Sequence, residues 1–293
     1  MTERKQTLNS FKDKWEQNPS LAFEHTLEEG SELFNWILNR NGFEGKSELS
    51  NWLSKKTKIL DAGCGNGRVT ALLQAYSMES AEIVGFDLTS SEVAKSNLSG
   101  LDNISIHKKD LLEDLSDLGR FDLIYCQEVL HHTTDPERAF INLTESLADS
   151  GEIAIYVYKK KAPMREFADD FIRDKISDLS YDKAQNEMQG LAKLGKNLSG
   201  LDAKFYSPAI DLLGIPEGEY DVQRFLYHFF LKCFWNDALS DKENTDINYD
   251  WYHPQLCSRH TEEEIESWFK NAKLKIIHRH VDHYGITFRG LKQ

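Results

Sequence analysis

From residue 56 onward the chain alternates short apolar runs with single amphipathic segments, and few folds accept that rhythm. The runs are KILDAG (58–63), EIVGFDL (82–88), ISIHKKD (104–110), FDLIYCQE (121–128) and GEIAIYVY (151–158). Between them lie GRVTALLQAYSM, SSEVAKSNLS and DPERAFINLTESL; in the last, Pro136 suits a first helical turn and Asp135 a cap. Strands alternating with helices of this length predict an α/β fold, a parallel sheet covered on both faces. After Tyr158 the alternation gives way to about a hundred residues of mostly helical character. It resumes with TEEEIESWFKNAKL (261–274), where Thr261 and Glu264 have capping-box spacing, and two closing strands at 275–282 and 285–292. The expected organisation is an N-terminal helical cap (1–52), an α/β domain (53–159 with 256–293) and a helical insertion (160–255) before the last helix. Within the insertion, NDALSDKENTDINYD (236–250) reads as an exposed loop, and the aromatic run from Phe225 to Trp235 as core.

Composition narrows the partners. The chain has 48 acidic and 35 basic residues, a net charge of −13, so it lacks the basic footprint that displaces counterions from a phosphate backbone. Nucleic acid is therefore not an expected partner. MTERKQTLNSFKDKW has no apolar signal-peptide core, and FLYHFFLKCFW (225–235), broken by His228 and Lys232, is too short to span a bilayer. Cys64, Cys126, Cys233 and Cys257 are scattered without a CxxC pair, which fits a reducing cytoplasm and no membrane association. Oligomeric state is not legible.

In doubly wound sheets, ligands bind outside the carboxyl ends of the strands. That rim would carry Asp87, Asp110, Gln127–His132 and the turn KILDAGCGNGRVT, with Gly63, Gly65 and Gly67 on alternate positions and Asp61 just ahead. Crowded glycines mean close backbone approach or dihedrals that side chains resist. The dinucleotide spacing G-x-G-x-x-G fails, because its third position is Arg68 or Thr70, which disfavours a nicotinamide-dependent oxidoreductase. The phosphate-loop spacing fails for want of a following lysine. Asp-x-Gly-x-Gly-x-Gly remains.

This segment resembles the signature of class I S-adenosylmethionine-dependent methyltransferases. FDLIYCQEVLHHTTDPERAF is similar to the small-molecule branch that includes the quinone-biosynthesis enzymes. The resemblance covers 56–158 well and 261–292 loosely. It implies a doubly wound, mostly parallel seven-stranded sheet, with S-adenosyl-L-methionine as cofactor. Asp61 and the backbone of Gly63, Gly65 and Gly67 would face the amino-acid end of the cofactor. Asp87, with Leu88 beside it, would take the ribose hydroxyls, Asp110 and Leu111 the adenine, and Gln127 would complete the rim. The expected activity is methyl transfer to a small molecule, at oxygen in preference to nitrogen or carbon. The alternatives are a cofactor-binding protein of this fold without transfer, or transfer of another group from a modified sulfonium.

His131 and His132 are the candidate bases, because imidazole titrates near neutrality. The densest positive run, YVYKKKAPMREFADDFIRDK (156–175), places Arg165, Asp169 and Arg173 on one helix face. Tyr158, Lys160 and Arg165 are candidates for an anionic acceptor; Arg–Asp pairing along a solvated face is the competing reading. Tyr252, His253 and Arg259 are candidate pocket walls. His253, Cys257, His260, His278, His280 and His283 follow no familiar zinc spacing, so no metal is expected.

Overall fold

The computed structural model describes residues 1–293. In chain order the elements are α1 (Glu3–Gln17), α2 (Phe23–Leu27), α3 (Glu32–Arg40), α4 (Lys46–Leu53), β1 (Lys58–Ala62), α5 (Arg68–Tyr76), β2 (Glu82–Phe86) and α6 (Ser91–Asn97). Next come β3 (Ile104–His107), β4 (Phe121–Gln127), α7 (Pro136–Glu145), β5 (Leu147–Tyr158), α8 (Pro163–Ile176) and α9 (Tyr181–Ser199). The chain ends with β6 (Lys204–Ser207), β7 (Gly218–Asp221), α10 (Val222–Phe229), α11 (Asp241–Tyr252), α12 (Glu262–Asn271), β8 (Leu274–Val281) and β9 (Gly285–Lys292). It divides into two compact units, one of residues 1–13 and 160–257, the other of 14–159 and 258–293.

The second unit holds a seven-stranded sheet in the order β3-β2-β1-β4-β5-β9-β8. Strands β1 to β5 pair in parallel, and β9 runs antiparallel to both β5 and β8. This is the α/β fold, covered on both faces, that the alternation predicts, and the doubly wound, mostly parallel seven-stranded sheet that the resemblance implies. The apolar runs are nearly continuous because both faces are buried. Successive residues serve opposite sides. Leu60, Ile124, Ile153 and Ile155 pack with Phe140, Ile265 and Phe269 of α7 and α12. Ile59, Leu123, Tyr125 and Ala154 pack with Ile37, Trp52 and Leu72 of α3, α4 and α5. Both expected caps form: Asp135 accepts from Arg138 N at 2.9 Å, and Thr261 with Glu264 closes a capping box. The order reverses between β1 and β4, so a crevice opens at their carboxyl ends.

The first unit is mostly helical, with one antiparallel hairpin, β6–β7. Of the aromatic run, Tyr227, Phe229 and Trp235 are buried, while Phe225 is half-buried and touches the rings of Phe205, Tyr220, Phe229 and Phe230. The loop expected over 236–250 is largely the helix α11. Ser240 and Glu243 form a capping box, and the polar face is buried with its hydrogen bonds made inside the unit. Asn244 bonds the carbonyls of Asn236 and Leu239, and Asn248 bonds both backbone groups of Phe234. A polar composition therefore concealed a buried element.

Candidate functional site

The turn after β1 is built on left-handed backbone: φ is 78° at Gly63, 57° at Gly65 and 88° at Gly67. A side chain at Gly63 would also strike Val129, with a Cβ only 2.5 Å from its methyl groups, and one at Gly65 would lie 2.9 Å from the Trp15 ring. Only glycine meets both demands. The amides of Gly63 and Cys64 donate to Phe86 O at 2.8 and 2.9 Å, tying the turn to the end of β2.

Asp87 follows that strand. Its Oδ1 is saturated, accepting from Thr89 N and Oγ1 and from Ser90 N and Oγ at 2.8–3.0 Å. Its Oδ2 accepts from Gly65 N at 3.1 Å. A carboxylate oxygen has room for a second donor, so the fixed Oδ2 suits one hydroxyl of a diol. Beyond β3, Asp110 is buried and its Oδ1 accepts from Leu112 N at 3.0 Å, while Asn142 Nδ2 holds Leu111 O at 2.9 Å. Leu88 is half-buried and Leu111 buried, apolar surface beside each acid.

Asp61 lies inside the crevice wall, where Thr70 Oγ1 donates to its Oδ2 at 2.6 Å. Burial pushes its carboxyl up to about 7, only partly opposed by the Thr70 hydrogen bond and the Arg68 charge. A cationic group beside it would restore the carboxylate. At the end of β4, Gln127 Oε1 accepts from Tyr125 Oη at 2.5 Å, and Arg68 pairs with Glu128 at 3.4 Å.

The two histidines occupy a short 3₁₀ turn after β4. His131 is 0 % exposed; its ring stacks on Tyr158 at 3.7 Å and its Nδ1 accepts from Tyr158 N at 3.4 Å. Its carbonyl takes Ser258 N at 2.8 Å, which fixes the turn to the segment re-entering the sheet. His132 is half-buried, its ring edge-on to Tyr158. Arg259 is half-buried between Ser258 and His260, whose side chains bond at 2.9 Å.

The remaining acceptor candidates belong to the first unit. Lys160 is exposed. Arg165 is buried, its Nε reaching both oxygens of Asp169 at 2.8 Å, while Nη1 bonds Tyr227 O. Tyr252 donates to Asp169 at 2.9 Å. His253 bonds Ser10 Oγ at 2.8 Å and Leu179 O at 3.1 Å, and burial lowers its pKa. These three side chains are committed to interior partners rather than presented at a pocket wall, because helices α8 and α11 bury the faces that carry them. In the same unit Lys232 has its ammonium 4.6 Å from the Trp251 ring, and burial with the Arg165 charge pushes it down to about 7.

Residues 53–197 match the family described as "Methyltransferase domain". The match covers just under half of the chain. It takes in the sheet strands β1 to β5 and continues through α8 into α9. S-adenosyl-L-methionine is the cofactor of such a domain, and the glycine turn with Asp87 fits it. An uncharacterized protein of Synechococcus is 40% identical over 109 residues, 35% of this chain and 26% of that one. A ubiquinone biosynthesis O-methyltransferase of Coxiella burnetii is 32% identical over 102 residues, 34% of this chain and 42% of that enzyme. The chain thus spans less than half the length of these curated relatives. The fold is also that of a magnesium protoporphyrin IX methyltransferase from Synechocystis PCC 6803, solved with bound SAM (TM-score 0.50, 10% identity, 100% of this chain and 98% of that one).

Within the second unit, several residues of the site escaped sequence reasoning. Thr70 holds Asp61; its signal was a hydroxyl on the first helical turn after the glycines. Trp15 packs on Gly65, hinted at only by its one-turn spacing from Phe11. Asn66 Nδ2 anchors Pro19 O at 3.0 Å and Leu21 O at 3.1 Å, which no spacing announced. No helix of the protein is long and apolar enough to cross a membrane.

Proposed function

We propose that the protein transfers the methyl group of S-adenosyl-L-methionine to a small-molecule acceptor, at oxygen. The observation that carries this reading is Asp87: one oxygen saturated, the other held by Gly65 N with capacity for one more donor. Asp87 Oδ2 takes a ribose hydroxyl and Asp110 the adenine amino group, with Leu88 and Leu111 against the ring. Asp61, Gly63 and Gln127 receive the amino-acid end, and Gly67 opens the helix α5. When bound, the cofactor supplies an activated methyl on a sulfonium, so the protein need only align the acceptor and manage its proton.

His132 is the base in this reading, being half-buried, while His131, packed beneath Tyr158, positions the turn. Transfer to oxygen is supported by these imidazoles and by the O-methyltransferase named above. Tyr158 and Arg259, both in the second unit, are the remaining candidates there to meet an anionic acceptor. The test is calorimetry with S-adenosylhomocysteine, followed by assays of labelled methyl transfer to a panel of phenols and hydroxy acids. Absence of heat ends the reading. Binding without transfer to any member of the panel favours a cofactor-binding protein. His132→Ala at saturating cofactor should lower kcat with cofactor affinity unchanged.

A further inference from the structure

Two charged side chains at the carboxyl ends of β1 and β4 have no part in the reading above. Arg68 opens α5 directly after the glycine turn, and Glu128 follows β4. The sheet order reverses between these strands, so both residues stand at the switch point. Their side chains pair at 3.4 Å and are 16% and 34% exposed, so water reaches both. Gly63, Gln127 and Val129 are half-buried as well, whereas Asp61 lies behind them in the wall.

As architecture the pair is poor. Arg165 and Asp169 meet at 2.8 Å, the length of a charge-assisted hydrogen bond. At 3.4 Å and partly in water, Arg68 and Glu128 add little to stability. Against that stands a cost: φ is 61° at Glu128, left-handed backbone that a side chain resists. The strained conformation is fixed from both sides. The Glu128 amide donates to Tyr156 O at 3.3 Å, and the next residue, Val129, has its methyl groups against Gly63. Arg68 is held as firmly, Nη1 donating to Thr26 Oγ1 at 3.1 Å and the amide to Asn66 Oδ1 at 3.3 Å. Only Nη2 reaches Glu128, at Oε2. A carboxylate kept in costly backbone beside a guanidinium it barely meets serves something other than folding.

Charge defines the ligand. Asp61 feels the Arg68 charge, and Tyr125 feels those of Asp61, Glu128 and Arg68, so the three charges converge. A zwitterion laid antiparallel along the loose pair sets its ammonium beside Glu128 and its carboxylate beside Arg68, with neither side chain displaced. We propose that Arg68 and Glu128 clamp the amino-acid end of the cofactor, the guanidinium on its carboxylate and Glu128 on its ammonium. The clamp rests on the methyl-transfer reading and adds two side chains to the groups assigned there. With Asp61 ionised, two carboxylates and one guanidinium leave one net negative charge. The ammonium, sulfonium and carboxylate of S-adenosyl-L-methionine leave one net positive charge to meet it.

Three probes are titrated calorimetrically into the full chain: S-adenosylhomocysteine, its decarboxylated form, which keeps the ammonium, and 5′-methylthioadenosine, which lacks both charges. Arg68→Met should weaken S-adenosylhomocysteine about tenfold or more and leave the other two unchanged. Glu128→Gln should weaken both ammonium-bearing probes by a similar factor and leave 5′-methylthioadenosine unchanged. Arg68→Lys keeps the charge and should retain part of the affinity. Glu128→Gly relieves the left-handed backbone, so it should melt no lower than the wild type and still lose the ammonium contact. Equal weakening of all three probes by Arg68→Met and Glu128→Gln makes the pair a support of the turn and overturns the clamp. So does undiminished S-adenosylhomocysteine binding by either variant, or wild-type binding of S-adenosylhomocysteine no tighter than of 5′-methylthioadenosine; in each case the methyl-transfer reading stands. Wild-type protein that binds none of the probes sinks that reading and the clamp with it.

Discussion

Asp61 and Asp169 are both interior aspartates, 2% and 0% exposed, one in each compact unit. Asp169 meets the guanidinium of Arg165 through both oxygens and also accepts from Tyr252. Asp61 meets one hydroxyl, from Thr70, and its carboxyl is pushed up to about 7. Burial is the same; the difference is whether the charge has been answered. An answered charge is architecture, whereas an unanswered one at a strand end is prepared for a ligand.

The sharpest way to break that comparison is to remove each acid. Asp169→Leu leaves Arg165 buried without its partner and should cost about 3–5 kcal/mol in denaturant unfolding, most of it recovered in the Arg165→Met/Asp169→Leu double variant. Asp61→Asn keeps an acceptor for Thr70 and should cost far less; equal losses would erase the distinction. Next in size, Asp87→Ala should weaken S-adenosylhomocysteine binding about 100-fold by calorimetry, since it removes charge-assisted hydrogen bonds.

The two titrations sharpen the contrast. Because the folded pKa of Asp61 is raised, its contribution to stability is full below about pH 3.9 and is lost as pH rises through about 7. A cationic cofactor end should draw off that proton. Binding near pH 6 should then release up to one proton, seen as a heat that depends on the ionisation enthalpy of the buffer and absent in Asp61→Asn. Lys232 runs the opposite way: its folded pKa is depressed, so its contribution is full above about 10.4 and is lost as pH falls through about 7. Lys232→Met should therefore raise the melting temperature at pH 6 and do little at pH 10. The smallest effect concerns the helix that the sequence concealed: Ser240→Ala should cost about 1 kcal/mol by opening the cap of α11.

The sheet domain was legible because its signals are local and repeated. Each apolar run meets both faces of a buried sheet, so Ile59 and Leu60 or Leu123 and Ile124 needed no polar alternation to be read as strand. The glycine turn and the acids after β2 and β3 were legible for the same reason, since strand-end position follows from counting. The helical unit was not. Asn244, Asp246 and Asn248 look like loop residues until their partners at Asn236, Gln185 and Phe234 are known, and those partners lie 8 to 61 residues away. Arg165 was misweighed for a related reason. Its helix face was correctly drawn, but spacing cannot tell a solvated face from a sealed one.

The order of short apolar runs and the glycines between them were sufficient to determine a doubly wound sheet and the strand ends that form its rim. That much follows from backbone sterics and periodicity, which act over a few residues. Only the tertiary structure decided which polar groups on that scaffold are spent and which are left open. Hydrogen-bond capacity is consumed by whichever neighbours folding brings, so Arg165 was closed off on Asp169 while the buried Arg40 Nε and Nη1, Asn41 Oδ1 and Thr287 Oγ1 kept no partner.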